Sequence, residues 1–114
     1  MSPKQPTEQE LLKQVLEPLL DDFLYWFERS LKLLEDQDMP FLAEGEQAEL
    51  VQSIEKAKRE VSTAKILFQA TDGQAGIDSK ILLPWHNLVA RCWDIARTWR
   101  QHKESTSTQF SSRN

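Results

Sequence analysis

The stretch Gln47-Ala-Glu-Leu-Val-Gln-Ser-Ile-Glu-Lys-Ala-Lys-Arg-Glu-Val-Ser-Thr-Ala-Lys-Ile-Leu-Phe68 decides the fold. Its inward positions, Gln47, Leu50, Ile54, Ala57, Val61, Ala64 and Phe68, follow an unbroken alternation of three- and four-residue steps. That spacing keeps side chains on one side of an α-helix and would scatter them over both faces of a strand. Between them, Glu55 stands four before Arg59 and Lys56 four before Glu60, the pattern of a solvated helix face. Ala57 and Ala64 are small, so the seam leaves room for a partner with bulky side chains.

Upstream, the sequence supplies that partner. Thr7 followed three residues later by Glu10, just before Leu11 and Leu12, has the form of a capping box that opens a helix. Leu12, Leu16, Leu19, Phe23, Phe27, Leu31 and Leu34 form its main stripe, and Val15, Trp26 and Leu33 widen the apolar arc. An arc that wide predicts contact with two neighbours, and Phe23, Trp26 and Phe27 match the alanines of the second helix in an antiparallel pair. Pro18 removes one backbone hydrogen bond and crowds the preceding turn, which predicts a kink or short break near Gln14 to Glu17. The helix should then run to about Asp36, and the second should start between Pro40 and Glu46.

Downstream, Thr71-Asp72-Gly73 reads as a helix end with glycine in a left-handed conformation, followed by a loop to about Asp78. A third helix starts at Ser79 or at Pro84. Its core stripe is Trp85, Leu88, Cys92, Ile95 and Trp99, flanked by Val89 and Ala96, and it should end near Lys103. Glu104–Asn114 is rich in Ser and Thr without periodicity and reads as a disordered tail, as does the polar segment 1–6 at the other end. The fold class is therefore all-α: a three-helix up-down-up bundle spanning residues 7–103, with its first helix kinked near Pro18.

Composition agrees with one folded domain. The 114 residues are 39% hydrophobic and 28% charged, with a net charge of -4. Charge is unevenly placed: residues 1–78 hold 8 Lys/Arg against 16 Asp/Glu, and residues 79–114 hold 6 against 2. The single Cys92 allows no internal disulfide and no cysteine pair for zinc, which favours a reducing compartment. No apolar run approaches the roughly 18 residues of a membrane span, and Met1–Pro6 has no signal-peptide core, so a cytoplasmic protein is expected.

The usual chemistries lack their residues. Helical di-metal sites use Glu-x-x-His pairs, but Leu83 and Trp99 occupy the positions three before His86 and His102. His86 and Cys92 are separated by about 600° of helix rotation and fall on different faces. Cys92 therefore reads as a small core residue. Glu17, Asp21 and Asp22 lie opposite the main stripe of the first helix and read as solvated carboxylates. The run Gly73-Gln-Ala-Gly76 mimics a phosphate-clamping GxxG loop without the strands that such a loop requires. Neither an enzyme, a metal site nor a cofactor is expected.

The third helix carries one further pattern. His86, Ala90, Trp93, Arg97 and Arg100 follow steps of 4, 3, 4 and 3 and form a stripe separate from the core. Tryptophan with arginine is the composition favoured at protein interfaces. Trp93 either packs on the second stripe of the first helix or stands at such an interface. With acidic helices beside the stripe, a phosphate backbone would be repelled, so nucleic acid is not an expected partner.

Two stretches, Glu17-Pro-Leu-Leu-Asp-Asp-Phe-Leu-Tyr-Trp-Phe-Glu28 and Gly76-Ile-Asp-Ser-Lys-Ile-Leu-Leu-Pro-Trp-His-Asn-Leu-Val-Ala-Arg-Cys-Trp93, resemble a family of short uncharacterised cyanobacterial proteins. The resemblance covers about Leu11 to Arg100. It implies a cyanobacterial cytoplasm and a role around photosynthetic machinery, and it implies no mechanism.

The expected function is a non-enzymatic protein–protein interaction module, an adaptor or assembly factor. It would dock an acidic or amphipathic partner through Trp93, Arg97, Arg100 and the Pro84-Trp85-His86 turn. Self-association through the first helix, giving a homodimer, would bury the same apolar arc. The alternative is a bundle whose aromatics Trp26, Phe27 and Trp85 line a pocket for an apolar ligand such as a pigment or lipid.

Overall fold

The computed structural model describes the backbone of residues 8–73 and 79–112, and side chains for residues 10, 11, 13–73 and 80–104. Three helices follow in order: α1, Glu8–Asp36; α2, Glu46–Ala70; and α3, Ser79–Ser112. α1 starts at the residue after Thr7, where a cap at Thr7 would place it. Thr7 itself, the segment 1–6 and the loop 74–78 lie outside the described residues.

α1 remains helical through Pro18, so no break interrupts it between Gln14 and Glu17. Proline deletes a single backbone bond there, and the flanking Leu16 and Leu20 are both buried, holding the turns on either side in place. α2 opens at Glu46 behind Gly45, whose φ of 81° a side chain would strain. The first turn lacks a capping side chain at Gly45, but the Ala43 amide donates to the Glu46 carboxylate. At its other end, the Gly73 amide closes on the Phe68 carbonyl at 2.7 Å and Gly73 takes the expected left-handed turn, φ 82°. α3 begins at Ser79, which settles its start and leaves Pro84 five residues inside. It also ends later than the sequence suggests. The backbone stays helical to Ser112 rather than stopping near Lys103, because Glu104–Ser112 contains neither glycine nor proline to stop it. Side chains are described only to Glu104, and residues 113–114 lie outside the described residues.

Interhelical pairs fix the directions. Lys13 meets Asp72, Asp21 meets Lys65 and the Leu34 carbonyl meets Gln47, so α2 runs antiparallel to α1. Phe23 meets Trp85 and Trp26 meets Trp93, so α3 runs parallel to α1 and the order is up-down-up. α2 and α3 pack chiefly on α1 rather than on each other. This accounts for much of the wide apolar arc of α1: one side meets α2 and the other α3, while Val15 stays exposed.

The core contains Leu20, Phe23, Phe27, Leu34, Leu50, Ile54, Ala57, Val61, Trp85, Val89, Cys92 and Ile95. Phe27, Ile54 and Val61 are wholly buried, each worth roughly 1.5–3 kcal/mol of transfer free energy. The α2 seam is thus observed as read, with one difference of meaning. Gln47, its first position, is not an apolar contact: its carbonyl accepts from the Met39 amide, and its amide donates to the Leu34 and Gln37 carbonyls. It clasps the end of α1 and the following turn. At the opposite end Lys13 and Asp72 form an exposed ion pair, which raises the Lys13 ammonium and lowers the Asp72 carboxyl from their ordinary values, chiefly through their mutual hydrogen bond.

Candidate functional site

Along the α1/α3 seam the aromatic side chains outnumber what the core encloses. Tyr25 and Trp26 stand edge to face with ring centroids 5.2 Å apart. Trp26 meets Trp93 of α3 edge-on at 5.7 Å, and Trp93 meets His86 edge-on at 6.5 Å. The result is a ladder of four rings crossing from α1 to α3, in the geometry that aligns a ring edge with a neighbour's electron-rich face. The Arg29 guanidinium lies 5.8 Å from the Trp26 ring centroid and donates to the Tyr25 hydroxyl at 2.8 Å, locking one end of the ladder.

Trp93 therefore packs on the second stripe of α1, the first of its two sequence readings, without being buried by it. One edge packs on α1 through Trp26, and 43% of the residue remains exposed. His86, Arg97 and Arg100 are exposed on the same stripe of α3. Arg97 is held by the Asp94 carboxylate one turn earlier, so its charge is locally matched. Arg100 makes no ion pair or hydrogen bond among the described residues.

Trp85 does not belong to this surface. It is 5% exposed and stands edge-on to Phe23 at 6.3 Å, making it a core anchor. The physical reason is its register: Trp85 is on the Leu88–Cys92–Ile95 stripe that faces α1, one residue away from the outward stripe. Trp26 needs the opposite adjustment. It faces α3 instead of the alanines of α2, where Phe23 and Phe27 join Ala57 in the core. With Phe27 and Trp85 buried against their neighbours, two of the three aromatics considered for a pigment or lipid pocket are core packing.

Tyr25 and Arg29 of α1 are the members that sequence reasoning missed, and Trp26 was considered only for the alternative apolar-ligand pocket. Their signal was present as the one-turn spacing of Trp26, Arg29 and Leu33, on the widened side of the arc. These residues also line a cleft of about 150 Å³ with Ser30, Ala96, Trp99 and Arg100. Trp99 is held from the far side by stacking on His102, at 6.1 Å. Behind the cleft, burial pushes the Cys92 thiol up from its ordinary value, partly offset by a hydrogen bond from Ser30 and by the Arg91 charge. Cys92 is a buried core residue, as its position in the stripe predicts.

Elsewhere the surface is ordinary. Asp21 and Asp22 are exposed, and Asp21 pairs with Lys65. Arg91 reaches Glu46 at 3.3 Å and ties α3 to the start of α2. Leu11 and Val15 of α1, Ile66 and Leu67 of α2, and Ile81 and Leu83 of α3 are exposed large hydrophobics. Among the described residues, no three His, Cys, Asp or Glu side chains group so as to hold a metal ion. No described helix is long and apolar enough to cross a membrane.

Residues 6–101 match the model of a family described as "Protein of unknown function (DUF2605)". The match contains the span from Leu11 to Arg100 over which the sequence resembles an uncharacterised family. No curated protein and no solved structure matches the chain.

Proposed function

Because the chain belongs to the DUF2605 family, whose function is not established, we propose its role from its own surface: a protein–protein interaction module that docks a partner on the α1/α3 face. One observation carries this reading. Trp93 keeps 43% of its surface in water although its ring meets both Trp26 and His86 edge-on. A half-exposed tryptophan flanked by arginines loses little side-chain entropy on binding and brings a large apolar area to a partner. The surrounding charge favours an acidic or amphipathic partner, since no carboxylate is among the described residues that line the cleft with Arg29 and Arg100.

The module acts by contact alone and serves as an adaptor or assembly factor. The link to photosynthetic machinery implied by the cyanobacterial resemblance belongs to this proposal and concerns the identity of the partner. The test compares tagged wild-type chain with the joint Trp93→Ala, Arg97→Ala variant in the native organism, with Glu55→Ala on the back of α2 as control. Partners retained by wild type and control should be lost from the joint variant, because truncating a central tryptophan costs roughly 2 kcal/mol or more, about thirtyfold in affinity. An identical set of partners for all three chains would overturn the assignment.

A further inference from the structure

We propose that the cleft between Trp26 and Trp99 receives a single apolar side chain from an acidic amphipathic helix of the partner, with carboxylates of that helix bonding Arg29 and Arg100. This inference rests on the docking role proposed above and names the partner's chemistry. Size comes first. The cleft holds about 150 Å³, whereas pockets for whole small ligands run from roughly 300 Å³ upward. An apolar cavity of about that size takes one benzene ring, so one large side chain fills it and an acyl chain or a pigment does not fit.

The lining sets the remaining chemistry. Trp26, Leu33, Ala96 and Trp99 supply an apolar floor, and Arg29 and Arg100 stand at the same opening with no carboxylate among the described lining residues. Arg29 is already oriented by the Tyr25 hydroxyl and the Trp26 ring. Arg100 is unpaired among the described residues and carries donors that a carboxylate satisfies in a two-pronged geometry. A helix that inserts an apolar residue into the cleft and carries Asp or Glu three or four positions away places both features together. Its remaining apolar face would lie on Trp93.

The test is selection of a displayed library of random 16-residue peptides on the full chain. Enriched peptides should have net negative charge and one large apolar residue with Asp or Glu at three or four positions from it. Their affinity should fall at least tenfold on Arg100→Glu, and exchanging the peptide's Asp or Glu for Lys should recover it. Ala96→Leu, which fills the cleft from within, should also abolish binding while far-UV circular dichroism stays that of wild type. Peptides without acidic enrichment, no enrichment at all, or affinities indifferent to both substitutions would overturn the proposal. Peptides sensitive to Trp93→Ala but indifferent to Arg100→Glu and Ala96→Leu would overturn the cleft and leave the docking face standing. Benzoate binding that is lost in Arg100→Glu, with no peptide enriched, would overturn the peptide proposal and assign the cleft to a small carboxylate.

Discussion

Gln47 offers the sharpest test of how the bundle is held, because its helical register and its structure recommend opposite substitutions. On periodicity alone it is the first position of the α2 seam, where leucine should fit as well as or better than glutamine. In the structure its side chain makes three hydrogen bonds, at 2.9 Å from the Met39 amide, 2.8 Å to the Leu34 carbonyl and 2.9 Å to the Gln37 carbonyl. Met39 and Leu34 are 4% and 5% exposed, so water replaces little of what is lost. At roughly 0.5–1.5 kcal/mol net per bond, with a penalty for stranded partners, Gln47→Ala should cost about 2–3 kcal/mol. Gln47→Leu recovers some apolar contact and should still cost about 1–2 kcal/mol, since the stranded amide and carbonyls remain. Gln47→Glu keeps the acceptor for Met39 but turns a carboxylate toward two carbonyls, so its destabilisation at neutral pH should ease as acid protonates it and restores a donor. Urea unfolding with linear extrapolation measures each value, and a domain of this size should unfold in one transition. A Gln47→Leu chain as stable as wild type would refute the clasp.

Four other outcomes follow from the same packing. Phe27→Ala removes a wholly buried ring from the core and should cost roughly 3–5 kcal/mol, read as a large drop in thermal midpoint. Gly73→Ala should cost roughly 1–2 kcal/mol, the penalty of a left-handed alanine, because a Cβ there would meet Phe68 and Lys13 only at ordinary distances of 3.5 and 3.6 Å. The Cys92 thiol is raised in the folded chain, so the unfolded thiol ionises first: its contribution to stability is full below the unfolded value and is lost as pH rises through the folded one. Unfolding curves for Cys92→Ala and wild type, compared from pH 7 to 10, should converge in that direction, and folded wild type should resist alkylation. Acrylamide quenching of tryptophan fluorescence should fall most in Trp93→Phe and least in Trp85→Phe, following exposures of 43% and 5%.

The three helices were legible because each buries one stripe at helical spacing, and Gly73 marks the end of α2 by a conformation that other residues adopt only at a cost. Helix boundaries were legible only where a residue enforces them. The end of α3 carries no such residue, so the apolar pattern stops at Lys103 while the helical backbone runs on to Ser112. Pro18 shows the converse, since the helix runs on through it with buried leucines in the turns on both sides. The outward stripe of α3 could be read from its own spacing, but its other half could not. Whether Trp26 faces α2 or α3 depends on the rotation of α1 between two neighbours, which is set by the sum of all contacts and not by any local pattern. Trp85 is in the core, as its stripe predicts, and its place in the Pro84-Trp85-His86 docking turn fails because one residue of helix rotation separates it from the exposed His86.

The docking face itself is tested most directly by photo-crosslinking in the native organism, with a benzophenone amino acid replacing Trp93 in one chain and Glu55 in another. The account predicts a discrete protein adduct from position 93 that disappears when Arg29 and Arg100 are both changed to Glu, and none from position 55. Equal adducts from both positions, or an adduct at 93 indifferent to the charge reversal, would contradict it.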